Sequence, residues 1–327
     1  MVSSLLHPVD DLDAFGDISR YVEITDLDTA TRVLSETLDL NAVSLPDPDV
    51  VLLSGGVDSM LVALAAVRRG FAPLCVTATT SLTDLDLDGA WASRSAEFLG
   101  LEWMPVLITP ESIRGLVQRA MSRLGGAGLY AVAAMVVDLA IADALATRPK
   151  DVAWTGGWAD ILFGPFPSTS DPDGPPRFDR EGRRELIRRA RSSHDVNKYA
   201  DLTSPLCDTG MQVVQFFETG RCIQVAGQLS PSILTLEGVD GLVTKAPLRA
   251  LAEAWGLPHD LAIQPKRALQ DSSGVFSLMA EAAREDEMSL CDDFTVHEPR
   301  RHGRDASIMT AYWLQLKAQS PKSESNR

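Results

Sequence analysis

VVLLSGGVDSMLVALAAVRRG, residues 50–70, changes character twice within one short stretch. Residues 50–53 are apolar and rich in β-branched side chains. Ser54-Gly55-Gly56-Val57-Asp58-Ser59 then interrupts the run, and an apolar helical pattern starts immediately over residues 60–69. A strand that runs through a glycine pair into a helix presents successive backbone N–H groups at the positive end of the helix dipole, which suits an anion. The plain alternative is a tight strand-to-helix turn with Asp58 and Ser59 serving as caps. GxxxxGK[ST] is absent, so the phosphate loop of the common nucleotide triphosphatases is excluded.

Outward from this turn the pattern alternates. DVVLL (49–53), PLCVTAT (73–79), LEWMPVLIT (101–109) and DVAWT (151–155) are short apolar β-runs, separated by helical stretches such as residues 60–69 and 91–99. The alternation predicts an α/β fold with a parallel sheet flanked by helices. Ligands in such sheets bind beyond the carboxyl ends of the strands, where residues 54–59 lie. Residues 165–182, dense in Pro, Gly, Ser and Asp, predict an irregular loop. The C-terminal part is predicted to be mainly helical, with helices over 211–219, 244–255 and 307–318.

Composition limits the function classes. Thirty basic residues against 45 acidic ones give a net charge of -15, which repels a phosphodiester backbone and disfavours nucleic acid as a partner. Cys75, Cys207, Cys222 and Cys291 are widely spaced and signal neither a zinc site nor a disulfide framework, which points to a reducing cytoplasm. The N-terminus is acidic and lacks a basic, apolar leader. The longest apolar segment, 129–146, is interrupted by Asp138 and Asp143, so a buried amphipathic helix is expected there and no membrane span.

Three segments carry a resemblance. Residues 54–59 match the SGGxDS loop of the N-type ATP pyrophosphatases in full. WTGGWADILFG (154–164) resembles the SGDGADELFGG segment of asparagine synthetases and β-lactam synthetases. Residues 243–274 resemble the K-x-x-L-R helix and the R-P-K-x-x-x-Q-x-G-S-G loop of the same enzymes. The chain is thus similar to the synthetase domain of that PP-loop family, with an adenine nucleotide alpha hydrolase-like fold. The domain is expected over residues 27–318, with an N-terminal extension at 1–26 and a disordered tail at 319–327.

The resemblance implies an ATP- and Mg²⁺-dependent ligase that forms AMP and pyrophosphate as it joins a small-molecule carboxylic acid to ammonia or an amine. It assigns the phosphate grip to Ser54, Gly55, Gly56, Val57, Asp58 and Ser59, and the metal to Asp58 and Asp160. Thr77 and Thr79, at the end of the second strand, are placed near the adenine, and Gly156 is assigned to cofactor binding. Lys266, in Gln264-Pro265-Lys266, takes the place of the lysine that stabilises charge during amide formation, and Lys245 that of the lysine holding pyrophosphate. Asp201 stands where the family has a glutamate that handles the amine, but Thr203 replaces the family's arginine. Gly157 and Ile161 also depart from the acidic residues usual at their positions.

The family's glutaminase nucleophile is an N-terminal cysteine, whereas this chain opens Met1-Val2-Ser3. The nitrogen is therefore expected from free ammonia, an amine substrate or a separate glutaminase or pathway partner. A homodimer is compatible with the sequence. Two other readings stay open, a PP-loop enzyme that amidates or thiolates a nucleotide or tRNA, and a nucleotide-binding interaction subunit without catalysis.

Overall fold

The computed structural model describes residues 22–124, 129–148, 150–164, 205–238, 241–264 and 269–285. The expected loop at 165–182, the helix at 307–318, the tail at 319–327 and most of the extension at 1–26 lie outside these residues. Ile24, near the end of that extension, forms a parallel bridge with Leu229.

A helix, α1 (Leu27–Ser44), precedes the first strand and is capped by Asp26, whose carboxylate accepts the Thr29 N–H at 2.7 Å. Four β-α units follow: β1 (Val50–Leu52) with α2 (Val57–Arg68), β2 (Leu74–Thr79) with α3 (Asp88–Leu99), β3 (Trp103–Leu107) with α4 (Pro110–Leu124) and α5 (Leu129–Leu145), and β4 (Val152–Thr155) with α6 (Ala159–Phe163). The later elements are β5 (Gln212–Gln215), α7 (Gly220–Gln228), a 3₁₀ turn (Pro231–Ile233), the hairpin of β6 (Thr235–Gly238) and β7 (Gly241–Thr244), α8 (Ala246–Ala254), α9 (His259–Ala262), α10 (Leu269–Ser272) and α11 (Val275–Glu285).

The sheet is five-stranded and parallel throughout, in the order β3-β2-β1-β4-β5. Its side chains divide by the period of two. Val51, Trp154 and Val214 point to a core shared with α1, α2, α7 and α8, while Val50, Ala153 and Val213 point to one shared with α4, α5 and α11. Helices therefore cover both faces, as expected for a parallel sheet. From β1 the order runs outward through β2 and β3 on one side and through β4 and β5 on the other. The crevice between the carboxyl ends of β1 and β4 is the switch point where such folds bind ligands.

The helix expected over 211–219 is corrected by the structure. Residues 212–215 form β5, paired with β4 from Val152↔Gln212 to Thr155↔Gln215. The apolar run Val213, Val214, Phe216, Phe217 is buried on both faces of the sheet, and periodicity cannot separate such a run from a buried helix. Its β-branched pair and the preceding Gly210, at φ +91°, were the local signals for a strand. The segment 129–146 is helical as expected, and it is largely buried instead of two-sided. Among the described residues no helix is long and apolar enough to cross a membrane.

Candidate functional site

The two serines of the Ser54–Ser59 loop tie it to itself. Ser54 N–H donates to Ser59 Oγ at 3.1 Å, the two hydroxyls lie 3.1 Å apart, and Ser59 Oγ donates to the Gly56 carbonyl at 3.1 Å. Gly55 holds φ +79°, and a Cβ there would come within 2.6 Å of Trp91 Cβ, so glycine is required by both backbone and space. Gly56 is the N-cap of α2 and supplies no side-chain cap. The first-turn N–H groups of a 12-residue helix therefore keep their affinity for an anion.

Gly156, after β4, closes the crevice from the other side. A Cβ on it would lie 3.0 Å from Ser59 N and 3.1 Å from Asp58 Cβ, so its lack of a side chain lets the two loops touch. Two residues further, Trp158 caps α6 with φ +72°, and α6 then presents Asp160.

Lys245 arrives from a segment remote in sequence. It also has positive φ, +58°, at the N-cap of α8. Trp158 and Lys245 are the non-glycine residues with positive φ among those described, and both lie at this crevice, where functional sites keep such strain. The Lys245 side chain is fully buried. Its Nζ pairs with Asp58 Oδ2 and lies 2.6 Å from Asp160 Oδ1.

The pair of aspartates can be tested as a metal site on these surroundings. Asp58 Oδ1 is buried and has no hydrogen-bond partner, and both carboxylates already share one positive charge. An orphaned hard oxygen beside a second carboxylate fits Mg²⁺, which takes few protein ligands and completes its octahedron with phosphate and water. Among the described residues no group of three His, Cys, Asp or Glu side chains converges, and these two aspartates are the carboxylates that meet at the loop.

Beside the loop lies a cavity of about 280 Å³, reached by Ser54, Gly56, Val57, Trp91, Arg249 and Gln264. The segment after residue 269 closes one edge of it. Thr80 N–H donates to the Ser273 carbonyl at 2.9 Å and Ser272 Oγ donates to buried Asp88 at 2.9 Å. Gly274, at φ +81°, fits against Thr80.

The expected residues are thus distributed as follows. Ser54, Gly55, Gly56, Val57, Asp58, Ser59, Gly156, Asp160 and Lys245 meet around the β1–β4 crevice. The Thr77 hydroxyl is engaged by the Leu53 carbonyl and by Trp103 Nε1, and that of Thr79 donates to the Ser81 carbonyl at 2.9 Å, so neither hydroxyl is turned toward the cavity. Lys266 and Asp201 lie outside the described residues. Arg249, the arginine of the K-x-x-L-R segment, lines the cavity without having been expected there. Its guanidinium is buried against Thr244 and Ala262, and desolvation lowers its pKa from the usual value while the charge of Asp58 pulls the other way. The thiols of Cys75 and Cys222 are pushed up by burial, to about 12 and about 11, and neither serves as a nucleophile at neutral pH.

Comparison with known proteins follows the same lines. No curated protein sequence matches the chain. Among solved structures it is similar to NMN synthetase from Francisella tularensis, 12% identical over 92% of this chain and 98% of that one, with a TM-score of 0.39. It is also similar to a predicted subunit of tRNA methyltransferase from Methanocaldococcus jannaschii, 16% identical over 67% of this chain and 93% of that one, with a TM-score of 0.31. The profile of the asparagine synthase family matches residues 47–215, just over half of the chain and the whole of the sheet with its loop and Asp160. The chain belongs to the asparagine synthase family.

Proposed function

We propose that this family member is an AMP-forming amide ligase. A carboxylate oxygen of a small-molecule acid attacks the α-phosphorus of ATP, the bond to the bridging oxygen breaks, and pyrophosphate leaves. Ammonia or an amine then attacks the acyl carbon of the adenylate and loses a proton, and AMP departs with the electron pair of the acyl–oxygen bond.

The chain's residues divide this work by position. The uncapped first turn of α2 receives phosphate oxygens, and Ser54 and Ser59 hold that turn in shape. Asp58 and Asp160 would hold Mg²⁺, which supplies charge neutralisation for the polyphosphate when bound. Lys245 would hold pyrophosphate, and it pairs with both carboxylates while no anion is bound. Lys266 would stabilise the charge that develops at the reacting centre, and Asp201 would orient the amine and accept its proton. Thr77 and Thr79 would border the adenine through main-chain groups, and Gly156 lets the phosphate-binding loop and the start of α6 meet.

The observation that carries this reading is the meeting of Asp58, Asp160 and Lys245 at the start of α2. Its test is ATP–pyrophosphate exchange across a panel of amino acids and small carboxylates. Exchange that needs both Mg²⁺ and one particular acid is expected, and that acid is the adenylated substrate. Absence of exchange with every acid, alongside exchange triggered by a nucleotide acceptor, would replace this reading with a nucleotide-modifying one.

A further inference from the structure

Two cations are buried beside the phosphate loop, and their charges are answered differently. Lys245 is enclosed by two carboxylates. Arg249, one helical turn later, is 6% exposed and has no carboxylate at ion-pair distance among the described residues. Its Nε donates to the Thr244 carbonyl at 2.7 Å and its Nη1 to the Ala262 carbonyl at 2.5 Å. Both acceptors are neutral, and a guanidinium has five N–H donors, so donors on Nη2 remain for something else.

The charge of Asp58 acts on it only from beyond ion-pair distance, and a buried charge with no counter-ion in contact is costly until a partner arrives. The partner's place is marked by the cavity. Arg249 lines it together with Ser54, Gly56 and Val57, so a fixed cation and the N-terminus of α2 face the same space; Asp86 and Asp88 line it as well, and Asp88 accepts from Ser272 Oγ. The two carbonyl bonds also fix the plane of the guanidinium, which suits a forked contact to phosphate oxygens.

We propose that Arg249 is a ligand-binding residue, the counter-ion that receives a polyphosphate anion at the start of α2. The bound form includes the inorganic pyrophosphate left after adenylation, a clause that rests on the ligase reading above. Anion binding by Arg249 does not require Lys245 to leave Asp58 and Asp160, so the seat accepts pyrophosphate before any divalent ion is present.

The test is calorimetric titration with inorganic pyrophosphate, without divalent metal, of the wild type, Arg249→Met and Arg249→Gln. Circular dichroism and melting curves accompany each titration. Loss of a charge-assisted, buried contact should weaken binding by about 30-fold or more in both variants. Gln keeps an amide donor for one of the carbonyls, so it decides the matter if the Met variant does not fold. A folded variant that binds pyrophosphate within about threefold of the wild type overturns the proposal, as does a lowered melting point with unchanged affinity, which marks a purely structural residue. A wild type that binds no pyrophosphate overturns it as well. ATP–pyrophosphate exchange separates the two proposals. Arg249-dependent pyrophosphate binding without acid-dependent exchange leaves this assignment standing and removes the ligase reading, and the reverse pattern removes Arg249 alone.

Discussion

Residues 54–59 offer the site N–H groups, and residues 244–249 offer it charge. The first segment works through backbone: two glycines, a pair of serines bonded to each other, and a helix start left without a cap. The second works through long side chains. Lys245 leaves a left-handed backbone to reach two carboxylates, and Arg249 spans from α8 to the carbonyl of Ala262. A turn suited to an anion can thus be written into six consecutive residues. A cation that answers it has to come from elsewhere in the chain, because a short turn has no room to bury one.

Removing charge from the loop's own carboxylate tests this division most severely. Asp58→Asn keeps the shape and removes the negative charge, and it is expected to lower pyrophosphate release by about a thousandfold, in the range seen when a principal electrostatic group is lost. A normal far-ultraviolet spectrum should accompany the loss. Turnover near wild type at saturating Mg²⁺ would dissolve the comparison, since the carboxylate would then be a cap and nothing more.

Lys245→Met works from the other segment. It leaves a buried carboxylate without its cation, and breaking such a pair should cost about 3 kcal/mol of stability. The vacated space should also accept a divalent ion without nucleotide. Electron paramagnetic resonance of Mn²⁺ is expected to show binding to the nucleotide-free variant and not to the nucleotide-free wild type, with a rise in the variant's melting point on adding Mn²⁺. Equal Mn²⁺ binding by both proteins would mean that Lys245 and the metal do not share a seat.

Gly55→Ala tests whether the loop's backbone is as exacting as its geometry implies. The new Cβ meets Trp91 Cβ at 2.6 Å on a residue held at φ +79°, so a loss of about 2 kcal/mol is expected in denaturant unfolding. Tolerance of alanine would show that α3 can yield.

The smallest effect belongs to a carboxylate that has no cation beside it among the described residues. Asp138, on α5, is pushed up to about 8 by desolvation from the ordinary 3.8. Between those values the folded protein holds a proton that the unfolded chain has lost, so stability falls as pH rises from about 4 to about 8. The residue keeps some solvent contact, which reduces the effect. Asp138→Asn should match the wild type near pH 4 and exceed it by about 1 kcal/mol at pH 8. A difference independent of pH would show that Asp138 is not the group that titrates.

The same contrast explains what could be read from sequence. β1, β2, β3 and β4, the glycine turn and α5 follow from neighbours in the chain, and the run at 50–70 contains the strand, the turn and the helix that it forms. β5 was missed because a short strand buried on both faces has no alternation to display. Asp58, Asp160 and Lys245 could be named through three separate motifs, but the ion pairs among them are a tertiary fact. Arg249 stood inside one of those motifs. Its importance is apparent only from what does not surround it, and a missing counter-ion has no sequence signature. Lys266 and Asp201 lie outside the described residues and rest on the resemblance.

The Lys245–Asp58 pair joins positions 187 residues apart. Contacts of that separation form late, because a long loop must close before they return anything. The helices and the hydrogen-bonded ladder can be present while the aspartate in the turn still faces water. Competence to hold nucleotide should therefore be the last property the molecule acquires during refolding. Fluorescent ATP analogue binding is expected to recover more slowly than the helical signal, with the interval between them measuring how long the far end of the chain takes to find its turn.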